Sequence, residues 1–284
     1  MLAYRHAFHA GNHADVLKHV VLVLVLQHMA AKDKAYSHID THAGAGGYSL
    51  EGRHALKKAE FADGIGRLWG RDDLPPAVAA YVALVRRFND GGKLRQYPGS
   101  PAFAQMLLRP IDRLRLYELH PTDHRILDAY LARHPNTQVA QGDGFAALKG
   151  ELPPPSRRGV VLIDPSYELK TDYAKVVAAL REALTRFADA LVMIWYPQLQ
   201  TLESQQLPRR LQAVADAQAK RGWLHARLTV QRPDARGFGL VGSGVFVVNA
   251  PFGLHDTLRA ELPFLVDALG QYDDAHYLLE QRAA

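Results

Sequence analysis

Along this chain, short apolar runs rich in β-branched residues alternate with longer stretches of helical periodicity. Ala35 to Asp40 is the first such run and ends in a glycine-rich turn. Arg113 to Glu118 (RLRLYE) alternates and closes on an acid, and Thr137 to Ala140 is followed by Gly142-Asp143-Gly144. Gly159 to Asp164 (GVVLID) is almost continuously apolar, the pattern of a central parallel strand covered on both faces. Ala190 to Trp195 and Gly244 to Asn249 read the same way, and Ala226 to Gln231 alternates. Helical patterns fill the gaps, notably Asp172 to Arg186 and Leu202 to Lys220. Strand–helix alternation of this kind predicts an α/β fold with a mostly parallel, doubly wound sheet.

Two stretches depart from that rhythm. Val20 to Leu26 is an apolar run too short to cross a bilayer, and it lacks a cleavage pattern behind it. It reads as the buried face of a helix starting near Asn12, a good N-cap, with Asp15 in the first turn. Between the turn at Gly44 and the strand at Arg113 lie roughly seventy residues, far more than a crossover needs. Val78, Tyr81, Val82, Val85 and Phe88 fall on one helical face there. We therefore expect a small helical lobe at 50–96 inserted into a core made of 1–49 and 97–284. Arg86, Arg87, Lys93 and Arg95 cluster at its end, as a solvated face or a phosphate-contacting patch.

Composition narrows the class only a little. The 284 residues are 48% hydrophobic and 22% charged, ordinary for a globular chain, and Lys plus Arg exceed Asp plus Glu by 34 to 29. That modest basic excess suits a polyanionic partner without demanding one. There is no cysteine, which excludes disulfides, thiolate zinc sites and a cysteine nucleophile, and suits the cytoplasm. His9 and His13 stand four apart, but no HExxH is present and no metal site is expected. No membrane contact, no stable protein partner and a monomer are the expectation.

Candidate chemistry gathers at the predicted strand ends, where open α/β sheets bind ligands. After the first strand comes Asp40-Thr41-His42-Ala43-Gly44-Ala45-Gly46-Gly47, whose glycines allow close approach of backbone N–H groups to a ligand. A dinucleotide fingerprint fails at its third glycine, where Ser49 stands. Glu118 ends the second strand, where a carboxylate can take both hydroxyls of a ribose, and Asp143 after the third can accept from an adenine amino group. The fourth strand ends in Asp164-Pro165-Ser166-Tyr167. An adenine amino nitrogen is a poor nucleophile because its lone pair is delocalised. Asp164 and the Pro165 carbonyl can accept its two N–H bonds, and the Tyr167 ring can stack on the base.

These residues resemble the N6-adenine methyltransferases, whose hallmark is Asp-Pro-Pro followed by an aromatic; here Ser166 replaces the second proline and adds an N–H to the turn. The opening block from Met1 to His19 is more specific, as are Tyr97-Pro98-Gly99-Ser100-Pro101, Glu118-Leu119-His120-Pro121 and Trp195-Tyr196-Pro197. With Asp40 to Gly46, they resemble the RlmJ family of 23S ribosomal RNA adenine-2030 N6-methyltransferases across the whole chain. That resemblance implies a Rossmann-like class I methyltransferase core with S-adenosylmethionine as donor. It further implies naked 23S rRNA, or an early assembly intermediate, as partner. By matched position it implies cofactor contacts from His19, His42, Gly44, Ser100, Glu118, Asp143, Gly144 and Asp164, and substrate contacts from Tyr4, His6, Lys18 and Tyr167. The readings set against it are a DNA adenine methyltransferase, an RNA-binding protein with a decayed site and, last, a nicotinamide oxidoreductase.

Overall fold

The computed structural model of the chain describes residues 6–52, 59–131, 133–235 and 239–283. Ten strands are present among them: β1 (Ser37–Asp40), β2 (Gly47–Ser49), β3 (Gln96–Pro98), β4 (Arg113–Glu118), β5 (Thr137–Gln141), β6 (Gly159–Ile163), β7 (Leu191–Gln198), β8 (Trp223–Thr229), β9 (Gly242–Val248) and β10 (His276–Arg282). The α-helices are α1 (His13–Ala30), α2 (Ile65–Trp69), α3 (Pro76–Phe88), α4 (Ser100–Leu107), α5 (Pro121–Leu131), α6 (Gly144–Glu151), α7 (Lys170–Arg186), α8 (Leu202–Gln218) and α9 (Leu254–Leu269).

Eight strands form one sheet in the order β10-β8-β9-β7-β6-β1-β4-β5. The pairs β1–β4, β1–β6, β4–β5 and β6–β7 are parallel, while β7–β9, β8–β9 and β10–β8 are antiparallel. The chain works outward from β1 through β4 to β5, then returns to β6 on the other side. The switch point between β1 and β6 opens a crevice at their carboxyl ends. In register, Asp40 lies opposite Leu162, so the turn after β1 and Asp164 after β6 emerge side by side. The antiparallel edge was not read from the sequence, because a buried antiparallel strand such as β9 is as uniformly apolar as a parallel one.

Side chains alternate between the two faces as strand geometry requires. Leu114, Leu116, Val160, Leu162 and Met193 point to the core beneath α1, α3 and α9, while Val161, Ile163, Val192 and Ile194 point to the core beneath α7 and α8. Helix α1 starts where expected, with Asn12 Oδ1 accepting from the backbone N–H groups of Ala14 and Asp15, both at 3.0 Å. It buries far more than one face: only Leu24, Gln27, His28 and Ala30 escape full burial. A helix buried almost all round is a core helix, and the sheet covers one side of α1 while α3, α4 and α9 cover the rest. No helix among the described residues is long and apolar enough to cross a membrane.

The chain between β2 and β3, which pair antiparallel from Gly47↔Pro98 to Ser49↔Gln96, carries α2 and α3. Val78, Tyr81, Val82 and Val85 on α3 are buried. Of the basic residues at its end, Arg86 donates to the Trp69 carbonyl at 2.7 Å and Arg95 lies 3.5 Å from Glu51. The lock between α3 and the core is Glu261 of α9, whose buried carboxylate accepts from the first free N–H groups of α3, those of Ala77 and Val78, both at 3.1 Å. Helix starts leave such donors unpaired and favour negative charge. Glu261→Ala is expected to cost about 1–3 kcal/mol, read as a fall in the urea midpoint; an unchanged midpoint would show that water replaces the cap.

Candidate functional site

The switch-point crevice is a cavity of about 1340 Å³ including its mouth. Its wall is built from the ends of β1, β4, β6 and β7, from the start of α6 and from one face of α1. At the end of β1, fully buried Asp40 accepts from the Ser100 hydroxyl at 2.6 Å and from the His42 N–H at 3.1 Å. Burial outweighs both hydrogen bonds and pushes its pKa up to about 7. The turn beyond it carries Gly44 at φ +62°, where a Cβ would lie 2.2 Å from the Tyr48 hydroxyl. Only glycine fits there.

The acid of the second strand closes that turn. Glu118 Oε2 accepts from Gly44 N–H at 2.8 Å and Oε1 from His120 N–H at 2.6 Å, and burial raises its pKa. Each oxygen keeps a second lone pair for a hydroxyl. Asp143 caps α6 by accepting from Phe145 N–H at 2.9 Å. At Gly144 a Cβ would meet the Thr41 carbonyl at 2.0 Å, so the α6 start and the β1 turn touch backbone to backbone. His42 lies edge-on to Phe145 with centroids 4.6 Å apart, and burial lowers its pKa to about 4. Three ring nitrogens of wall residues are buried without a protein partner: His19 Nε2, His120 Nδ1 and Trp195 Nε1. A wall of carboxylates, glycines and unpaired ring nitrogens fits a polar, hydroxyl-bearing group with a flat ring.

The other half of the cavity is electrostatic. Lys18 of α1 is buried, and its ammonium is shared between Asp15 Oδ1 at 2.8 Å and Asp164 Oδ2 at 2.6 Å. Burial would lower the Lys18 pKa, but the two carboxylates raise it well above the ordinary lysine range. The same ammonium lies 5.5 Å from the Trp195 ring centroid. Asp15 also accepts from His6 Nε2 and from Gly11 N–H, both at 2.9 Å. Asp164 is 12% exposed and reaches the cavity together with Pro165 and Ser166.

The expected residues His6, Lys18, His19, His42, Gly44, Ser100, Glu118, Asp143, Gly144, Asp164 and Pro165 all line this one cavity. Tyr4 lies outside the described residues. Tyr167 is placed differently from the stacking position expected of it. Its backbone takes φ +55°, which turns the ring back into the core against Tyr173, and its hydroxyl donates to the Trp195 carbonyl at 2.7 Å. Only 6% of it is exposed, so it braces the site from behind. The aromatic surface at the wall beside Lys18 and Asp164 belongs to Trp195. The sequence marks Asp15 only as a first-turn acid; its spacing of three from Lys18 on one helix is the available clue. Among the described residues, no group of three or more His, Asp or Glu is placed to hold a metal ion.

The chain is similar over most of its length to one family of ribosomal RNA methyltransferases. The profile of a family described as ribosomal RNA large subunit methyltransferase D, RlmJ, matches residues 33–281. Ribosomal RNA large subunit methyltransferase J of Escherichia coli (strain K12) is 45% identical over 265 residues, spanning 93% of this chain and 93% of that protein. The Haemophilus influenzae protein of the same name is 44% identical over 270 residues, spanning 95% and 94%. A crystal structure of a Legionella pneumophila protein superposes with a TM-score of 0.88 at 31% identity, covering 96% of this chain and 98% of that one.

Proposed function

The chain belongs to the RlmJ family of large-subunit ribosomal RNA methyltransferases, and from that premise we propose that it methylates the exocyclic nitrogen of one adenine in 23S rRNA, adenine 2030 in the family's naming, with S-adenosylmethionine as donor. The observation that carries this reading is the position of Asp164, at the cavity wall across the β1–β6 switch point from the Gly44 turn. A base entering there meets the carboxylate on the same side as the glycine turn.

S-adenosylmethionine, when bound, supplies an electrophilic methyl group. The residues that fit it are Glu118 for ribose hydroxyls, the Gly44 turn and Gly144 as backbone lining of the cavity, and the unpaired nitrogens of His19 and His120 for its polar ends. Asp164 accepts an N–H of the adenine amino group, which draws the nitrogen toward a tetrahedral state with its lone pair available. As positive charge develops on that nitrogen, the Asp164 carboxylate stabilises it, and the proton leaves to Asp164 or to water. Trp195 supplies the flat surface against which the extruded base lies, a role the buried Tyr167 ring does not fill. Tyr167 instead ties the turn after β6 to β7. That tie gives the turn a rigidity which Ser166, in place of a second proline, does not.

The test is methyl transfer from tritiated S-adenosylmethionine to protein-free 23S rRNA, assembled large subunits and duplex DNA, followed by nucleoside analysis. N6-methyladenosine in protein-free rRNA, and little in assembled subunits, is the expected result. Label in duplex DNA alone would move the protein to a different substrate class, and no label anywhere would leave a binding protein.

A further inference from the structure

Lysine ammonium groups are compact charges that pair readily with one carboxylate, and a buried one-to-one pair is electrically closed. Here the pair is not closed. We propose that Asp15, through Lys18, is the positioning residue that keeps Asp164 able to receive the adenine amino group. The proposal rests on the methyltransferase reading and adds to it a residue that touches neither substrate nor donor.

Asp15 is 2% exposed and has three partners, each on a different part of the site. Gly11 N–H and His6 Nε2 reach Oδ2, and the Lys18 ammonium reaches Oδ1. Lys18 therefore divides its charge between two carboxylates at 2.8 and 2.6 Å. Lys18 faces two carboxylates, so it does not neutralise Asp164 alone, while the His6 ring adds positive character on the Asp15 side; in a desolvated pocket such charges act strongly. Asp164, which lines the cavity together with Lys18 and His6, is therefore only partly neutralised. A nitrogen that becomes cationic there is stabilised.

A buried carboxylate without partners would stay neutral. Burial does raise the Asp15 pKa, but His6 and Lys18 more than reverse this and hold it well below the ordinary carboxylate range. Asp15 is thus charged at every working pH. Without its charge, Lys18 would settle wholly on Asp164. The carboxylate facing the base would then be half of a neutral pair and a poorer acceptor. His6 would lose the same anchor, which ties the segment before α1 to this network.

Asp15→Asn tests this, because an amide oxygen still accepts from Gly11 while the charge is gone. Single-turnover methylation should fall about ten- to a hundredfold, with S-adenosylmethionine affinity by calorimetry unchanged within about threefold. The alkaline limb of the pH–rate profile should move to lower pH, since Lys18 loses one of the charges that hold its proton. A second readout needs no activity. In lysine-¹⁵N-labelled protein the buried Lys18 ammonium should give an exchange-protected signal, assigned by its loss in Lys18→Met, that persists to high pH in wild type and titrates in Asp15→Asn. An unchanged rate and alkaline limb, or a Lys18 signal indifferent to the substitution, would overturn the proposal. A wild-type protein that methylates no RNA, yet shows the Lys18 signal responding to Asp15→Asn, would instead refute the methyltransferase reading alone.

Discussion

Asp164→Ala is expected to abolish methyl transfer to 23S rRNA, lowering the single-turnover rate by at least about a hundred- to a thousandfold, while donor binding stays measurable. The magnitude is that of removing one preorganised group aimed at developing charge in a water-poor site. Donor binding should survive because the Gly44 turn, Glu118 and the α6 start hold their places through contacts that do not involve Asp164. The fold should survive too. Lys18 would be left buried, which is costly for an unpaired charge, but Asp15 remains 2.8 Å away. Asp164→Asn separates shape from charge: its amide fits the space and keeps an acceptor oxygen, so a comparable loss would assign the effect to the negative charge. Circular dichroism and calorimetric titration of S-adenosylhomocysteine confirm that each variant is folded and binds. A variant retaining wild-type rates would remove Asp164 from the chemistry and with it the mechanism given above.

Much of this site was legible before any coordinates because its parts sit at strand ends, and strand ends are marked by a change from apolar run to glycine or acid. Arg113–Glu118 was read to the residue, and Asp40, Glu118, Asp143 and Asp164 follow four successive strands of the same parallel set. What sequence pattern did not carry was direction and depth. Tyr167 stands three residues after Asp164, the spacing that suggested a ring over the base. Spacing does not specify the sign of φ, and the positive φ at Tyr167 sends the ring inward. The strand His276–Arg282 carries no clear sequence signal because an edge strand of mostly exposed residues looks like loop. The Asp15 network escaped for another reason: it joins α1 to a turn 146 residues away in sequence, and no local pattern encodes that contact.

Acid should unfold this protein well above the pH at which its carboxylates titrate. His13, His38, His42 and His225 are held neutral by burial, with pKa values lowered to about 4, and burial with the nearby Lys18 charge holds His19 well below the ordinary histidine value. In the unfolded chain each returns to about 6.5. For a base whose folded pKa is depressed, the unfolded state binds the proton first. Stability is therefore intact above pH 6.5 and is lost as the pH falls toward 4. Each such histidine removes about 1.4 kcal/mol per pH unit in that window, so five acting together remove about 7 kcal/mol by pH 5.5. Asp40 opposes them. Its folded pKa near 7 exceeds the unfolded value, so its proton uptake stabilises the fold over the same range, and Glu118, also raised by burial, acts in the same direction, but these are two groups against five. Total stabilities of folded domains are about 5–15 kcal/mol, so the urea midpoint should collapse between pH 6.5 and 5. His38 offers the sharpest single test. It is fully buried in β1 and neither ring nitrogen has a partner. Its polar atoms therefore contribute a desolvation penalty and no hydrogen bond. His38→Leu should be near neutral at pH 8 and more stable than wild type by about 1 kcal/mol or more at pH 5.5, with one proton fewer in the slope of stability against pH. A midpoint flat from pH 8 to 5, or a His38→Leu slope equal to wild type, would mean that these histidines take up protons without unfolding the core.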